Sequence, residues 1–188
     1  MILPKLALVA VTATAMVGSA VSSATAAAPG PVFGAFVGVC GDTHADFAAV
    51  SRVSSVAAWG ETDVKADSNM PGVSVTGQLA RSTTVDKTGL VLSAWHGTKG
   101  AVQISDCTIH VAKADLDRLR GDASAWLGFQ PQDSSAKRAA FRFTEADGAH
   151  KAVTPAEFDA AAAGGGLEIL TVSGDANGTV LDLMTIKK

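Results

Sequence analysis

The sequence contains no tyrosine and few other aromatic side chains, with seven phenylalanines and three tryptophans among its 188 residues. Few flat side chains are therefore available to stack against a ligand. The chain is rich instead in small and β-branched residues, mainly Ala, Gly, Val, Thr and Ser. This composition is typical of a protein built from many short strands and turns.

The sequence also lacks an excess of charge of one sign. It carries 15 basic and 18 acidic residues, which gives a net charge of −3 at neutral pH. This mild acidity provides no electrostatic reason to expect binding to an anionic polymer or an anionic membrane surface. We therefore expect no nucleic-acid partner.

No hydrophobic run reaches the roughly 20 residues that a membrane-spanning helix needs. The apolar run from Leu6 to about Val17 is diluted by two threonines, and it lies between the basic start Met1–Lys5 and the small residues Ala24–Ala26. This order is typical of a secretory signal peptide with an A-x-A cleavage site. We predict a signal peptide over residues 1–26 and a single secreted domain over residues 27–188. We expect the mature protein outside the cytoplasm, extracellular or associated with the cell envelope, with no membrane span.

The sequence has only two cysteines, Cys40 and Cys107. In an exported chain they are expected to form one disulfide, with two free thiols or an intermolecular bond as the alternatives. Their wide spacing excludes a zinc knuckle, which needs paired ligands close together in sequence. Val37–Cys40 loosely matches a lipid-acceptor motif, but Val39 is too bulky next to the cysteine and lies far from the apolar run.

The first half of the mature chain predicts one strand, one helix and a meander. The run Val32–Cys40 is interpreted as a buried strand. Residues 46–59 favour an amphipathic helix capped by Asp46, although their β-branched residues also suit a strand. Short runs rich in Val, Ile and Thr between Gly72 and Val111, separated by turn residues, predict antiparallel strands. A short helix over Ala114–Arg120, ended by Gly121, is expected to follow.

The second half predicts a loop, a helix and a hairpin. Residues 122–137 are loop-like around a proline and a polar segment. Thr154 and Glu157 form a capping-box pattern with proline at the first helical position. The runs at 167–173 and 179–186 are expected to pair across an Asn177-Gly178 turn. The predicted fold is α+β, a mainly antiparallel β-sheet, meander or sandwich-like, with two or three short helices and one disulfide.

Asp42-Thr43-His44, at the end of the first predicted strand, is the most chemically suggestive motif. Over about five residues it resembles the first metal-binding motif of the metallophosphoesterases, which implies a two-cation centre. The Gly-Asn-His and Gly-His-x-His segments of that family are absent from the sequence. Because one motif supplies too few ligands for two metals, we interpret it as a polar turn and predict no metal and no cofactor.

Two further patterns offer alternatives. If their strands are neighbours, His96 and His110 could hold one zinc ion together with Asp106 or Asp115, although ordinary surface histidines are the simpler interpretation. Arg120–Asp122 matches the tripeptide that integrins recognise on a loop, but here it is explained by the end of a helix.

No complete catalytic set is recognisable, so the sequence favours a non-enzymatic protein over an enzyme. We predict a secreted, disulfide-stapled binding domain, most simply a monomer, whose partner is a protein, a glycan or a cell-envelope component. A secreted hydrolase remains the alternative, because catalytic carboxylates and histidines can meet only in the fold. A protease inhibitor is a third possibility.

The turn-like segment Trp95–Lys99 is the predicted contact region. Trp95 would present a flat face at low entropic cost, while His96 and Lys99 would donate hydrogen bonds. The alternative is a hairpin turn in which Trp95 is tucked into the core.

Overall fold

The computed structural model describes residues 28–62 and 70–188, and within them a nine-stranded antiparallel sheet carries four α-helices. The mainly antiparallel α+β fold predicted from the sequence is confirmed. The predicted signal peptide lies outside the described residues. Among the described helices, none is long and apolar enough to cross a membrane.

Two helices precede the sheet, one lies in its middle and one precedes its last hairpin. They are α1 (Pro31–Phe36), which continues as a π-helical turn (Val37–Gly41), α2 (Phe47–Val56), α3 (Leu116–Leu127) and α4 (Phe158–Ala163). The strands are β1 (Gly60–Glu61), β2 (Ser74–Val85), β3 (Thr88–Lys99), β4 (Val102–Val111), β5 (Asp133–Ser134), β6 (Arg138–Ala146), β7 (Ala149–Ala152), β8 (Leu167–Asp175) and β9 (Gly178–Lys187). The sheet order is β1-β2-β3-β4-β9-β8-β6-β5, and β7 also pairs with β6.

The first predicted strand is wrong, because Val32–Cys40 is helical. Pro31 occupies the first helical turn, where its missing N–H costs nothing. The fully buried residues Phe33, Phe36 and Cys40 follow one another at spacings of three and four, which places them on one helical face. A short continuous apolar run does not distinguish a buried strand from a buried helix.

The helix after it was predicted correctly. α2 begins after Asp46, whose carboxylate accepts a hydrogen bond from the Ala49 backbone N–H at 2.9 Å. Val50 and Ser54 lie four residues apart on its buried face. The predicted meander is also confirmed, since β2, β3 and β4 pair in sequence order.

The helix α3 is longer than predicted and ends at another glycine. It begins after Asp115, whose carboxylate accepts backbone hydrogen bonds from the first turn, and it ends at Gly128 in a left-handed conformation. Gly121 lies inside the helix, because the apolar stripe of Leu119, Ala123 and Leu127 continues past it. Residues 122–127 of the predicted 122–137 loop are therefore helix, and the Arg-Gly-Asp tripeptide lies on a helix, not on a loop.

The last helix and hairpin agree with the sequence in position. The Glu157 carboxylate accepts hydrogen bonds from the Thr154 backbone N–H and hydroxyl, at 3.0 and 2.8 Å, and α4 begins directly afterwards. β8 and β9 pair as expected, across a turn at Ala176-Asn177 that is one residue earlier than predicted.

One face of the sheet, called the inner face below, packs against α1, α2 and α3. Fully buried side chains from these helices and from five central strands form a single hydrophobic cluster. The predicted disulfide joins Cys40, at the end of the π-helical turn, to Cys107 in β4, with a Cα–Cα distance of 5.5 Å. Both cysteines are completely buried in this cluster, so the bond fastens the helical layer to the middle of the sheet.

The opposite face, called the outer face, contains two neighbouring carboxyl groups, the buried Asp106 and the half-buried Asp182. Trp95 and Asp106 are opposite one another on β3 and β4, and both are almost fully buried. The Thr108 hydroxyl donates to the Asp106 carboxylate at 2.9 Å. Asp182 of β9 is paired with Thr108 and lies beside both Thr108 and Asp106. Burial raises the pKa of Asp182, although hydrogen bonds with Asp106 and Thr108 oppose the rise.

We expect replacement of both cysteines by alanine to lower the free energy of unfolding by about 4 kcal/mol, because the bond closes a long loop in the unfolded chain. Denaturant unfolding of the double variant measures this loss, and the wild type in reductant should match the variant. Intact mass should rise by about two hydrogen masses on reduction. Identical unfolding midpoints with and without reductant would contradict the expectation.

We expect Asp182→Asn to become progressively more stable than the wild type as the pH rises above 3.8, the ordinary pKa of an aspartate. With a raised pKa, the folded state binds the proton more tightly than the unfolded chain does. This contribution to stability is present below pH 3.8 and is lost as the pH rises through the raised value. Urea unfolding of both proteins across this pH range measures the difference. Asp86→Asn, at an exposed turn, is the control. If the difference in free energy of unfolding between Asp182→Asn and the wild type shrank as the pH rose, this would contradict a raised pKa for Asp182.

Candidate functional site

The predicted contact residues Trp95, His96 and Lys99 lie within β3 and not at a turn, so the structural premise of that prediction was wrong. The pairing of β2 with β3 continues to Ser74 and Thr98, and the turn follows at Gly100. Trp95 is only 3% exposed and cannot present a face to a partner. His96 points to the inner face, where its ring stacks on Phe47 at a centroid distance of 4.5 Å. The binding role of His96 and Lys99 stays a prediction.

The zinc alternative for His96 and His110 is also inconsistent with the structure. Register pairing places His96 opposite Ser105 and His110 opposite Val91. Because side chains alternate along a strand, the two histidines lie on opposite faces of the sheet. They therefore cannot bind the same metal ion.

All three tryptophans contribute to packing. Trp59 and Trp95 are buried, and Trp126 packs against Phe33 and Phe143 with ring centroids 6.1 Å apart in each pair. Trp59 and Trp95 are therefore not available as exposed stacking platforms, and the half-buried Trp126 is engaged in packing. The sequence alone left a core and a binding role open for Trp95, and burial decides for the core.

The Asp42-Thr43-His44 motif forms a turn after the π-helix. Asp42 is exposed, whereas the Thr43 hydroxyl donates to the Val39 carbonyl inside the protein at 2.7 Å. His44 and Ala45 both have positive φ angles, 52° and 54°, an uncommon conformation for residues other than glycine. The buried Thr185 hydroxyl donates to the His44 carbonyl at 2.6 Å, which ties this turn to β9.

His44 pairs with a carboxylate that the sequence does not associate with it. Its Nδ1 lies 3.0 Å from Oε1 of Glu168, on the inner face of β8. The Glu168 side chain is 6% exposed and the His44 side chain 42% exposed. Burial raises the pKa of Glu168, and the hydrogen bond and positive potential of His44 oppose that rise. The pair is thus an open imidazole supported by a nearly buried carboxyl group.

A second acid–histidine pair lies next to the first. Oε2 of Glu145 is 3.3 Å from Nε2 of His150 and 3.9 Å from Nδ1 of His44. Glu145 and His150 face each other across the β6–β7 hairpin, and the His150 ring packs against Trp126 and Phe143. Within residues 28–62 and 70–188, no group of three or more His, Cys, Asp or Glu side chains could hold a metal ion. The side chains of these two acid–histidine pairs form a continuous row, in the order Glu168, His44, Glu145 and His150.

The sequence indicated His44 but not Glu168, Glu145 or His150. These residues are separated by up to 124 positions in the chain and meet only through sheet pairing. In the sequence, only the hairpin segment Glu145–His150 indicates one of these pairs. A two-residue turn between two strands places the residues on either side of it opposite each other.

A depression of about 840 Å³ lies at the other end of the sheet. It is called the hydroxyl pocket and is lined by residues 82–84, 89–91, 110–112 and 177–180. Of these described lining residues, none is Asp, Glu, Lys or Arg, and His110 is the single histidine. Thr179 in this pocket and Thr185 beneath His44 are six residues apart along β9, a distance of about 20 Å. The hydroxyl pocket and the His44–Glu168 pair are therefore separate sites.

No family model, curated protein or solved structure matches this chain, so the assignment of its sites rests on their own geometry and chemistry.

Proposed function

We propose that this protein is a secreted binding protein that holds a short, uncharged, hydroxyl-rich glycan in the hydroxyl pocket. The observation that carries the proposal is a half-open depression of about 840 Å³ lined by hydroxyl groups and apolar side chains, without Asp, Glu, Lys or Arg among its described lining residues. This volume lies in the range of roughly 300–1,000 Å³ that small-molecule sites in proteins occupy.

The chemistry of the lining favours a neutral polyol over a charged ligand. Ser82 and Thr84, which lie on the same face of β2, supply hydroxyl groups, each of which can both donate and accept a hydrogen bond, as sugar hydroxyls do. A bound charge would lose its water and find no countercharge, which is costly. Val91 and Val180, both half-buried, add apolar surface that suits the C–H faces of a sugar ring.

The pocket is built on a rigid support, which limits the entropy lost on binding. Its walls are the ends of registered strands, with Leu90 paired to Val111 and His110 paired to Val180. Gly178 lies so close to the Val111 carbonyl that any added Cβ atom would collide with it. This close approach holds the β8–β9 turn against the end of β4.

Two alternative functions receive less support from this site. A hydrolase that used the pocket would need an acid–base pair in it, and His110 is its one titratable group among the described lining residues. A protease inhibitor would need a loop braced by the disulfide, but Cys40 and Cys107 join a helix end to a central strand inside the core.

Export is part of the proposal. It is supported by the signal-peptide pattern before Ala27 and is compatible with the disulfide, since such bonds persist in oxidising compartments. We expect protein recovered from outside the cytoplasm to begin at or near Ala27. N-terminal sequencing checks this, and a soluble cytoplasmic product that keeps Met1 would contradict it.

The binding proposal can be tested by filling the pocket. A Cβ atom added at Gly89 meets no other atom within 4 Å, so Gly89→Trp should occupy the pocket without disturbing the sheet. We expect saturation-transfer NMR to detect binding of neutral disaccharides such as cellobiose, maltose or trehalose to the wild type, and at least a tenfold loss of affinity in Gly89→Trp.

Gly89→Ala is the matched control, because it adds one methyl group and leaves most of the volume open. It should retain binding, and both variants should keep the wild-type unfolding midpoint. Equal binding by Gly89→Trp, absence of binding by every neutral disaccharide, or stronger binding of glucuronic acid than of glucose would each overturn the proposal.

A further inference from the structure

The His44 imidazole is arranged differently from an ordinary surface histidine. Its Nδ1 is within hydrogen-bonding distance of the Glu168 carboxylate, and its Nε2 makes no hydrogen bond to any residue that the structure describes. A neutral imidazole that donates from Nδ1 to a carboxylate carries its free lone pair on Nε2. Because the side chain is 42% exposed, this lone pair can reach a water molecule or a substrate.

The backbone around His44 holds the ring in position. The Thr185 hydroxyl binds the His44 carbonyl, and the Ala45 backbone N–H donates to the Cys40 carbonyl at 2.9 Å. Two successive residues with positive φ require such support, since few side chains adopt that conformation spontaneously. The disulfide at Cys40 anchors the same turn to β4. A positioned base on a rigid turn is what general-base catalysis requires.

We infer that His44 is a general base, oriented by Glu168, that activates water for the hydrolysis of uncharged carboxylic esters. This second site is separate from the hydroxyl pocket and does not depend on the proposed glycan binding. Glu168 acts as a positioning residue, because it touches His44 and not the reacting atoms.

The reaction balances with water as the only co-reactant. Nε2 of His44 removes a proton from water while the water oxygen attacks the ester carbonyl carbon. The resulting imidazolium remains hydrogen-bonded to Glu168 through Nδ1. When the tetrahedral intermediate collapses, the C–O bond to the alcohol breaks and Nε2 returns the proton to the leaving oxygen. The products are a carboxylic acid and an alcohol, and His44 is regenerated as a neutral base.

The charges around His44 select the ester. Glu168 and Glu145 place two carboxyl groups within 4 Å of its Nδ1, at 3.0 and 3.9 Å. An anionic ester would be repelled by these groups, whereas an uncharged one would not. The Trp126 ring, packed against His150 next to this pair, adds apolar surface to the same end of the sheet.

The test uses hydrolysis of p-nitrophenyl acetate by the full mature chain. We expect His44→Asn to lower kcat by about 100-fold, the contribution of a typical general base. Asparagine tolerates a positive φ, so the turn should keep its conformation. His96, His110 and His150 remain in this variant, and its residual rate measures adventitious catalysis by imidazole. Asp42→Ala, at the exposed start of the motif, is the control and should keep the wild-type rate.

Glu168→Gln separates orientation from folding. Its amide can donate a hydrogen bond to Nδ1, so we expect kcat to fall at least tenfold with little change in KM. Nitrogen-15 NMR should show the His44 proton on Nδ1 in the wild type and its redistribution in the variant. A wild-type rate no higher than that of His44→Asn, an unchanged rate in Glu168→Gln, or a wild-type proton on Nε2 would overturn the inference, whatever the result of the glycan experiment.

Discussion

The Cys40–Cys107 bond is the constraint on which the arrangement of this protein depends. It joins the end of the π-helical turn to the central strand β4, inside the hydrophobic cluster that α1, α2 and α3 form with the sheet. Covalent attachment at this point limits where the next four residues can lie. The turn that carries His44 therefore starts from a fixed place on the inner face, and Thr185 secures its other end.

The sheet separates two kinds of chemistry. At one end, carboxyl and imidazole groups from β6, β7, β8 and the His44 turn form acid–histidine pairs. At the other end, strand termini form a depression lined by hydroxyl and apolar groups. Long strands allow this separation, because β9 contributes to both ends and is rigidly paired along its whole length. The two proposed sites can then be altered independently.

Local patterns predicted much of the fold because they report on single elements. The Asp46 cap, the Thr154–Glu157 box and the turn signal between β8 and β9 each act within a few residues, and each corresponds to a feature of the structure. The errors arose where a local pattern has two solutions. Val32–Cys40 is apolar throughout and suits a strand or a helix, and Gly121 could end α3 or be passed over. Packing in the core decided both, because the helical conformation buries Phe36 in the first case, and Ala123 and Leu127 beyond Gly121 in the second.

The sequence by itself determined the single possible disulfide, the antiparallel meander and the last hairpin, because pairing of only two cysteines and turns of a few residues leave little choice. Only the tertiary structure decided that Trp95 is buried and that His44 meets Glu168, 124 residues away. The alternation of side chains along a strand identifies which residues share a face of the sheet, but it does not show which helix or loop packs on that face. The burial of a face and the contacts between distant residues depend on how elements far apart in the chain pack together. No local segment of the sequence contains this information.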